Sequence, residues 1–271
     1  MTTEALSMNR TLSDADVLRL TDRIEAAQRG AKAIPKLTED FPGMTLGDGY
    51  AVQLALLRRW LAEGQRQIGW KAGLTSKAKM DQMGVRVPTV GFLLADMFRP
   101  EGSTIATSDL VHPRVECEVA FVTKANLSGP HCTREEVLAA TDFVVPAVEI
   151  IDSRFTGFKF DLQSVVADNS SSARYVTGGR ARLLADIDMS TLGVVIEKNG
   201  ESVAMGASSA VAGHPADAVA LVVKVLHEIG ESLPAGSFVM SGGITEAIAV
   251  QPGDFVCARF QELGSVAMHF A

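Results

Sequence analysis

Two glutamates, Glu116 and Glu118, stand inside an otherwise apolar run that spans residues 115–122. If this run forms a strand, both carboxylates point to one face together with Ala120 and Val122, because successive side chains alternate between faces. Two like charges in a dry environment each cost several kcal/mol unless a cation or a proton compensates them. The pair therefore predicts a bound divalent cation.

A third glutamate, Glu149, lies in a second apolar run, residues 144–151. Three carboxylates offer only oxygen donors, which suit Mg²⁺ or Mn²⁺ better than zinc, and such an ion keeps positions open for water or substrate. We therefore predict that Glu116, Glu118 and Glu149 bind Mg²⁺, with Mn²⁺ as the alternative. The competing interpretation is a solvent-facing sheet edge. The apolar flanks argue against it, since exposing Glu116 would expose its apolar neighbours on the same face.

A lysine at position 71 is the next candidate for chemistry. Residues 67–74 are typical of a short strand in which Lys71 lies between Gly69 and Gly73. Glycines allow a ligand to approach the backbone closely, so this setting favours a lysine that faces substrate. The alternative is a surface lysine whose stem covers apolar residues while its ammonium stays in water.

The composition favours a globular protein that acts on small molecules. The chain has 271 residues, of which 47% are hydrophobic, and a net charge of −7 without a cluster of Lys or Arg. A substantial core is expected, and a nucleic-acid surface is not. The first ten residues lack a signal-peptide pattern, and no uninterrupted apolar run approaches membrane-spanning length, so we expect a cytoplasmic protein without membrane contact. The three cysteines lack metal-ligand spacing and are expected to be reduced.

The elements that must position these residues indicate an α+β fold. Helices are predicted from Ser13 to about Arg29, over residues 46–64, from Thr75 to about Gly84, from Thr133 to near Thr141, and over residues 215–228. Asn199 and Gly200 between two strand-like runs predict a β-hairpin. We divide the chain into a smaller N-terminal α/β region, residues 1–80, and a sheet-rich catalytic core, residues 81–271.

A polar segment, residues 151–172, carries charges and hydroxyls that no amphipathic pattern explains. Such a segment is typical of a substrate-binding loop, because binding residues are often on loops that a rigid scaffold positions. A plain solvated loop is the alternative.

Several motifs together resemble the fumarylacetoacetate-hydrolase-related family of 2-oxo acid hydratases and decarboxylases, over nearly the whole chain. They are Gly73-Leu74-Thr75-Ser76 after Lys71, the Glu116-x-Glu118 strand, residues 148–154, residues 159–162, residues 164–169, and Gly242-Gly243-Ile244-Thr245. The resemblance implies a mixed β-sheet core with a smaller helical N-terminal layer, and a metal held by the three glutamates. It implies electrostatic support of the substrate by Lys71. Its implied substrate contacts are Leu74, Arg154, Lys159, Asn169 and Ser171.

The reaction that this resemblance implies is Mg²⁺-dependent decarboxylation of 2-oxo-3-hexenedioate to 2-hydroxypenta-2,4-dienoate and CO₂, in the meta-cleavage pathway of aromatic catabolism. Related hydratases carry aspartate in a Pro-Asp-aromatic-Gly motif, whereas this chain has Pro88-Thr89-Val90-Gly91. That departure disfavours the alternative, hydration of 2-hydroxypenta-2,4-dienoate. A third hypothesis is a catalytically silent subunit that supports a partner hydratase, although such a subunit need not keep three costly buried charges. A homo-oligomer, with or without a hydratase partner, is expected.

Overall fold

Two mixed β-sheets and six helices position the candidate residues in the part of the chain that the computed structural model describes, residues 8–75 and 88–271. The helices are α1 (Asp14–Arg29), α2 (Leu37–Asp40), α3 (Leu46–Ala62), α4 (Arg134–Ala140), α5 (Leu162–Ala167) and α6 (Pro215–Glu228). The strands are β1 (Gln67–Gly73), β2 (Thr89–Leu94), β3 (Phe98–Arg99), β4 (Thr104–Ile105), β5 (Pro113–Thr123), β6 (Thr141–Asp152), β7 (Ser172–Thr177), β8 (Gly193–Lys198), β9 (Glu201–Ala207), β10 (Phe238–Met240), β11 (Ile248–Ala249), β12 (Phe255–Phe260) and β13 (Gly264–Phe270).

The larger sheet has the strand order β2-β1-β10-β5-β6-β7-β3, and β11 also pairs with β5. Pairing is parallel between β1 and β10 and between β3 and β7, and antiparallel elsewhere in this sheet. The second sheet has the order β4-β13-β12-β8-β9. Strand β13 contacts β6 and β7, which brings the two sheets together. These sheets and helices confirm the predicted α+β class with a mixed β-sheet core.

Helices α1 and α3 form the predicted N-terminal helical layer. The Ser13 side chain accepts a hydrogen bond from the backbone N–H of Asp16 at the start of α1, and Thr45 and Asp48 form a reciprocal capping box at the start of α3. Helix α3 packs against α1 and α5, and α5 contacts β2. The helix predicted from Thr75 to about Gly84 lies outside the described residues. So does the boundary between residues 80 and 81, and the two-part division stays a prediction.

The polar segment 151–172 differs from the predicted loop. It contains α5, whose N-cap is Asp161, because the Asp161 carboxylate accepts a hydrogen bond of 2.9 Å from the Ser164 backbone N–H. Residues 152–154 and 168–172 are buried, so the alternative of a solvated loop is wrong for these two stretches, whereas residues 156–163 between them are exposed or half-buried. The sequence missed this helix because six residues are too few to show an apolar period.

Two further predictions, a hairpin and a long apolar helix, are confirmed. Strands β8 and β9 pair antiparallel, and Asn199 (φ 55°) and Gly200 (φ 87°) both have the positive φ that a tight type I′ turn requires. Helix α6 packs against α4, β1 and β2. Together with the turn before it, residues Ser208–Glu228, it is long and apolar enough to span a membrane by length and composition alone. Half of its most apolar window is buried inside the structure, and the core helix of a soluble protein meets the same criteria.

Candidate metal centre

The three glutamates converge on one point between β5 and β6. Glu116 pairs directly with Glu149 in the antiparallel register, and Glu118 lies two residues further along the same face of β5. One carboxylate oxygen from each residue lies within 4.8 Å of the others. The side chains are buried, with 7% of Glu116 and 0% of Glu118 and Glu149 exposed. Strand β5 is an interior strand between β10 and β6, so the alternative of a solvent-facing edge is wrong.

The charges of this cluster are poorly compensated by the described residues. Glu118 Oε1 and Glu149 Oε1 accept no hydrogen bond from them. Glu118 Oε2 accepts one from the Gly242 backbone N–H at 2.7 Å, and the ammonium of Lys71 lies 3.2 Å from Glu149 Oε2. Burial and the neighbouring Glu149 raise the pKa of Glu118 well above its usual value. Burial also raises the pKa of Glu149, against the opposing effect of Lys71.

These residues fit a hard divalent cation. Three buried carboxylates that converge on a common point form the donor set that Mg²⁺ prefers, and three protein ligands leave octahedral positions for water or substrate. A cation at this point would also offset the charge repulsion that raises the pKa of Glu118. The sequence-based prediction of the metal ligands agrees with this geometry.

Two glycines allow the loop after β10 to approach the glutamates. A Cβ added to Gly243 would lie 2.6 Å from Glu116 Oε2, closer than a carbon can approach an oxygen. Gly242, which donates to Glu118, has a φ of +104°, and a Cβ there would lie 2.2 Å from Thr75 Oγ1. Sequence patterns alone assigned no role to these glycines, although they belong to a motif that carried the family resemblance.

A cavity of about 510 Å³ opens beside the glutamates. Its lining residues are Lys71, Gly73, Leu74, Thr89, Arg114, Glu116, Ile151, Phe158, Lys159, Phe160, Val165, Ser170, Ser171 and Ala247. Lys71 is only 3% exposed, so the alternative of a surface lysine is wrong. The buried hydroxyls of Thr89 and Ser171 have no hydrogen-bond partner among the described residues. The cavity therefore presents a buried cation and two unused hydroxyls beside the predicted metal ligands.

Four of the predicted substrate-site residues line this cavity, namely Lys71, Leu74, Lys159 and Ser171, whereas Arg154 and Asn169 do not. Arg154 is buried and pairs with Asp168, with 2.5 Å between Arg154 Nε and Asp168 Oδ1. The Asn169 amide exchanges two hydrogen bonds with the backbone of Phe92. Substrate contact stays a prediction for all the residues named from the sequence, and Arg154 and Asn169 already have protein partners.

Residues that the sequence analysis did not select also line the cavity, including Arg114, Thr89 and the aromatic pair Phe158 and Phe160. Arg114 precedes Glu116 by two residues, so strand alternation was a signal that could have placed it on the same face. Thr89 was noted only for the absence of aspartate. The two phenylalanines carry no chemical signal, because their role depends on how the segment after β6 folds back over the site.

Comparison with known proteins supports a family assignment. Residues 66–271 match the family model described as fumarylacetoacetate (FAA) hydrolase C-terminal. The chain is 54% identical to 4-oxalocrotonate decarboxylase of Pseudomonas sp. strain CF600, over 97% of this chain and 100% of that protein. It is 37% identical to 2-hydroxyhexa-2,4-dienoate hydratase of Comamonas testosteroni, over 92% of this chain and 95% of the hydratase.

A solved structure shows the same relationship. The 4-oxalocrotonate decarboxylase from Pseudomonas putida G7, complexed with magnesium and adipate, superimposes with a TM-score of 0.96 at 51% identity, covering 97% of this chain and 100% of that one. The family model and this close structural match agree with the geometry of the site. The chain belongs to the fumarylacetoacetate hydrolase family.

Proposed function

We propose that this protein is a Mg²⁺-dependent decarboxylase that converts 2-oxo-3-hexenedioate, also called 4-oxalocrotonate, to 2-hydroxypenta-2,4-dienoate and CO₂. One observation carries the proposal: three buried glutamates converge beside a buried lysine at a cavity of about 510 Å³, and Glu118 and Glu149 each keep a carboxylate oxygen that accepts no hydrogen bond from the described residues. The similarity to 4-oxalocrotonate decarboxylases, at 54% identity against 37% for a hydratase, supports decarboxylation over hydration.

In this proposal Glu116, Glu118 and Glu149 hold Mg²⁺, which when bound supplies Lewis-acid polarisation of the substrate's 2-oxo group. The bond between C5 and the distal carboxyl carbon breaks, and CO₂ leaves as a neutral molecule. The electron pair moves through C4 and C3 to the C2 carbonyl oxygen, which gains a negative charge and then a proton. The reaction needs no oxidant or reductant.

Lys71 is the residue of this chain that stabilises the developing oxygen charge. Its ammonium is buried and held by Glu149 at 3.2 Å, so it is an oriented cation in a site of low dielectric. The same ammonium can deliver the proton that the oxygen needs after CO₂ has left. Electron flow to the carbonyl does not require a Schiff base, so Lys71 acts here without covalent bonding to substrate.

The hydroxyls of Thr89 and Ser171 orient the substrate. Both are buried in the cavity wall without a protein partner, so each can donate a hydrogen bond to a substrate oxygen. Neither can carry a proton to carbon as a carboxylic acid can. Among the described residues that line the cavity, Glu116 is the only carboxylate, and in this proposal it holds the metal. This composition favours decarboxylation over water addition.

The direct test mixes purified protein, Mg²⁺ and 2-oxo-3-hexenedioate and measures CO₂ together with the ultraviolet absorbance of the dienoate. We expect both products in equal amounts and none after removal of the metal with a chelator. Hydration of added 2-hydroxypenta-2,4-dienoate without CO₂ release would establish the alternative hydratase function. Failure of both reactions, with no Mg²⁺ binding in calorimetry, would indicate a silent subunit.

The setting of the enzyme completes the proposal. We place it in the cytoplasm, as a homo-oligomer that can associate with a hydratase consuming its product in the catabolism of aromatic compounds. Sedimentation analysis of the purified chain, alone and mixed with such a hydratase, tests the assembly.

A further inference from the structure

We infer that Arg114 recognises the second carboxylate of the substrate, the one that leaves as CO₂, and so selects dicarboxylates; this rests on the proposed function. Arg114 lies on β5 two residues before Glu116 and therefore shares its face, about 7 Å further out along the strand. Its partner across the sheet is Ile151, which also lines the cavity. Arg114 is thus the next residue on the same face of β5 beyond the predicted metal ligand Glu116. The far end of an extended six-carbon diacid bound at the metal would lie there.

The guanidinium of Arg114 is held in place but keeps its donors available. Its Cζ lies over the Phe158 ring, 4.4 Å from the ring centroid, in a cation–π contact that anchors the guanidinium. Arg114 Nη1 donates one long hydrogen bond of 3.5 Å to the Ala247 carbonyl. No carboxylate in the described part of the chain forms an ion pair with it. A planar fork with unused N–H groups is suited to bind a carboxylate through two hydrogen bonds.

The aromatic support is itself fixed. Phe158 has a φ of 58°, in the left-handed region that bulky residues rarely adopt, and it follows Gly157, whose φ is 65°. The Phe158 ring also packs against Phe160, with 5.7 Å between centroids. Both phenylalanines line the cavity. The wall under Arg114 is therefore shaped for a defined position of the guanidinium.

The charges of the cavity favour the same assignment. A dicarboxylate brings two negative charges into the cavity, and a metal held by the three glutamates, together with Lys71, would face only the 2-oxo end of it. The remaining cations that line the cavity in the described residues are Arg114 and Lys159. Arg114 is half-buried and held by Phe158, whereas Lys159 is exposed and would lose more side-chain entropy on ordering. Arg114 is therefore the better-organised carboxylate receptor.

The chemistry predicts how this contact divides between binding and catalysis. The distal carboxylate loses its charge as it becomes CO₂, so its attraction to Arg114 is stronger in the bound substrate than in the transition state. Such an interaction lowers KM and also tends to lower kcat, so its removal should raise KM without lowering kcat. The product lacks this carboxylate and loses the contact, which favours its release.

Calorimetry with two six-carbon acids, adipate and hexanoate, tests the inference in the presence of saturating Mg²⁺. For the wild-type protein we expect adipate to bind more tightly than hexanoate. In Arg114→Met, adipate affinity should fall about 10- to 100-fold, the range for losing hydrogen bonds between charged groups, while hexanoate affinity changes less than about threefold. Arg180→Met, which removes an exposed arginine outside the cavity, is the matched control and should leave both affinities unchanged.

Turnover of 2-oxo-3-hexenedioate gives a second measurement, in which Arg114→Met should raise KM without lowering kcat. If circular dichroism shows that Arg114→Met does not fold, Arg114→Lys replaces it. Lysine keeps the positive charge but lacks the planar guanidinium, so adipate binding should still weaken severalfold. An unchanged preference for adipate over hexanoate in the folded variant would overturn the inference, as would a wild-type protein that does not prefer adipate. Active wild-type enzyme with that result would leave the proposed function intact, whereas failure of wild-type CO₂ release would refute the function itself.

Discussion

The structure contains two groups of buried charges that differ in how completely they are satisfied. In one group, Asp168 accepts hydrogen bonds from Arg154 Nε (2.5 Å), the Arg154 backbone N–H (3.0 Å) and Gln28 (3.2 Å). In the other, Glu118 accepts a hydrogen bond from Gly242, and its Oε1 and that of Glu149 accept none from the described residues. The two groups are equally buried, since the side chains of Asp168, Glu118 and Glu149 are all fully buried.

The difference separates a structural ion pair from a ligand site. Burial raises the pKa of Asp168 as it raises those of the two glutamates, but Arg154 opposes the effect at Asp168 with a full charge and matched geometry. A buried carboxylate whose oxygens are satisfied by protein has no further need of a cation. One with unused oxygens beside two other carboxylates is stable only with a bound metal or proton. The following predictions test this distinction.

The largest effect is expected for Glu118→Gln. The variant keeps an oxygen for the Gly242 N–H but loses the charge that a divalent cation requires, so Mg²⁺ binding should be abolished in calorimetry. Decarboxylation should fall by at least about 1,000-fold, or about 4 kcal/mol, because the electrophilic support of the carbonyl is lost.

Stability measurements provide the control for this variant. Removing one of three clustered negative charges should leave metal-free Glu118→Gln at least as stable to urea as the metal-free wild type. Near-normal activity of the variant would contradict the assignment of Glu118 as a metal ligand. A strongly destabilised variant would instead indicate that Glu118 is a structural residue, like Asp168.

Arg154→Met should produce the opposite pattern, a large loss of stability without loss of the metal site. It removes the partner of Asp168 and leaves a buried carboxylate uncompensated, which should reduce the free energy of unfolding by about 3–5 kcal/mol in urea titration. The double variant Arg154→Met, Asp168→Asn should recover part of that loss. The folded single variant should still bind Mg²⁺, and loss of Mg²⁺ binding in a folded protein would contradict a purely structural role.

Addition of Mg²⁺ should stabilise the wild-type protein and not Glu149→Gln. At a free Mg²⁺ concentration of 100 times Kd, the free energy of unfolding should rise by about 2.7 kcal/mol. The pKa values of Glu118 and Glu149 are raised in the folded state, which therefore binds more protons than the unfolded state above the ordinary glutamate pKa. In the absence of metal, the contribution of these two glutamates to the free energy of unfolding is therefore lost as pH rises. The stabilisation by added Mg²⁺ grows over the same range. Thermal unfolding with and without Mg²⁺ measures this effect. An equal rise in melting temperature for the wild type and Glu149→Gln would contradict Glu149 as a metal ligand.

The glutamates could be predicted from the sequence because a charged residue inside an apolar run is a local signal. Glu116, Glu118 and Glu149 each violate the pattern of the strand that contains them, and the strand period alone shows that the first two share a face. Their pairing with Glu149 needed the register between β5 and β6, which depends on the whole sheet. The helix starts predicted at Ser13 and Thr133 depend on equally local signals, and the structure confirms both residues as N-caps.

The remaining parts of the site could not be predicted because they depend on tertiary contacts. Asn169, Ser170 and Ser171 have φ values of 51°, 50° and 60°, a left-handed run that no sequence preference indicates for non-glycine residues. Arg154 attracted attention as a charged residue in a polar segment, but only the structure shows Asp168 beside it. Composition cannot distinguish a charge that binds substrate from one that is neutralised by a buried partner.

The smallest effect, and the most specific dependence on pH, is expected at Asp48, where a buried carboxylate is satisfied almost entirely by neutral donors. It accepts hydrogen bonds from the backbone N–H groups and hydroxyls of Thr11 and Thr45 and from the Leu12 N–H, at 2.8–2.9 Å. Burial would raise the pKa of Asp48, but these hydrogen bonds lower it to about 2. The Asp48 carboxylate is therefore stabilised by five neutral donors, whereas Glu118 accepts a hydrogen bond from the Gly242 N–H and keeps Oε1 without a donor among the described residues.

Asp48→Asn should therefore destabilise the protein by about 2 kcal/mol at pH 7, because the amide accepts weaker hydrogen bonds and cannot satisfy as many donors. A lowered pKa means that the unfolded state binds more protons, so the stability from Asp48 is present above the ordinary aspartate pKa of 3.8 and is lost as pH falls towards 2. The difference between variant and wild type in urea unfolding should accordingly shrink below about pH 4. If the difference in unfolding free energy between Asp48→Asn and wild type stays constant from pH 7 to pH 3, the charge of Asp48 contributes nothing to stability. Hydrogen-bond donors alone would then not distinguish this carboxylate from those of the metal centre.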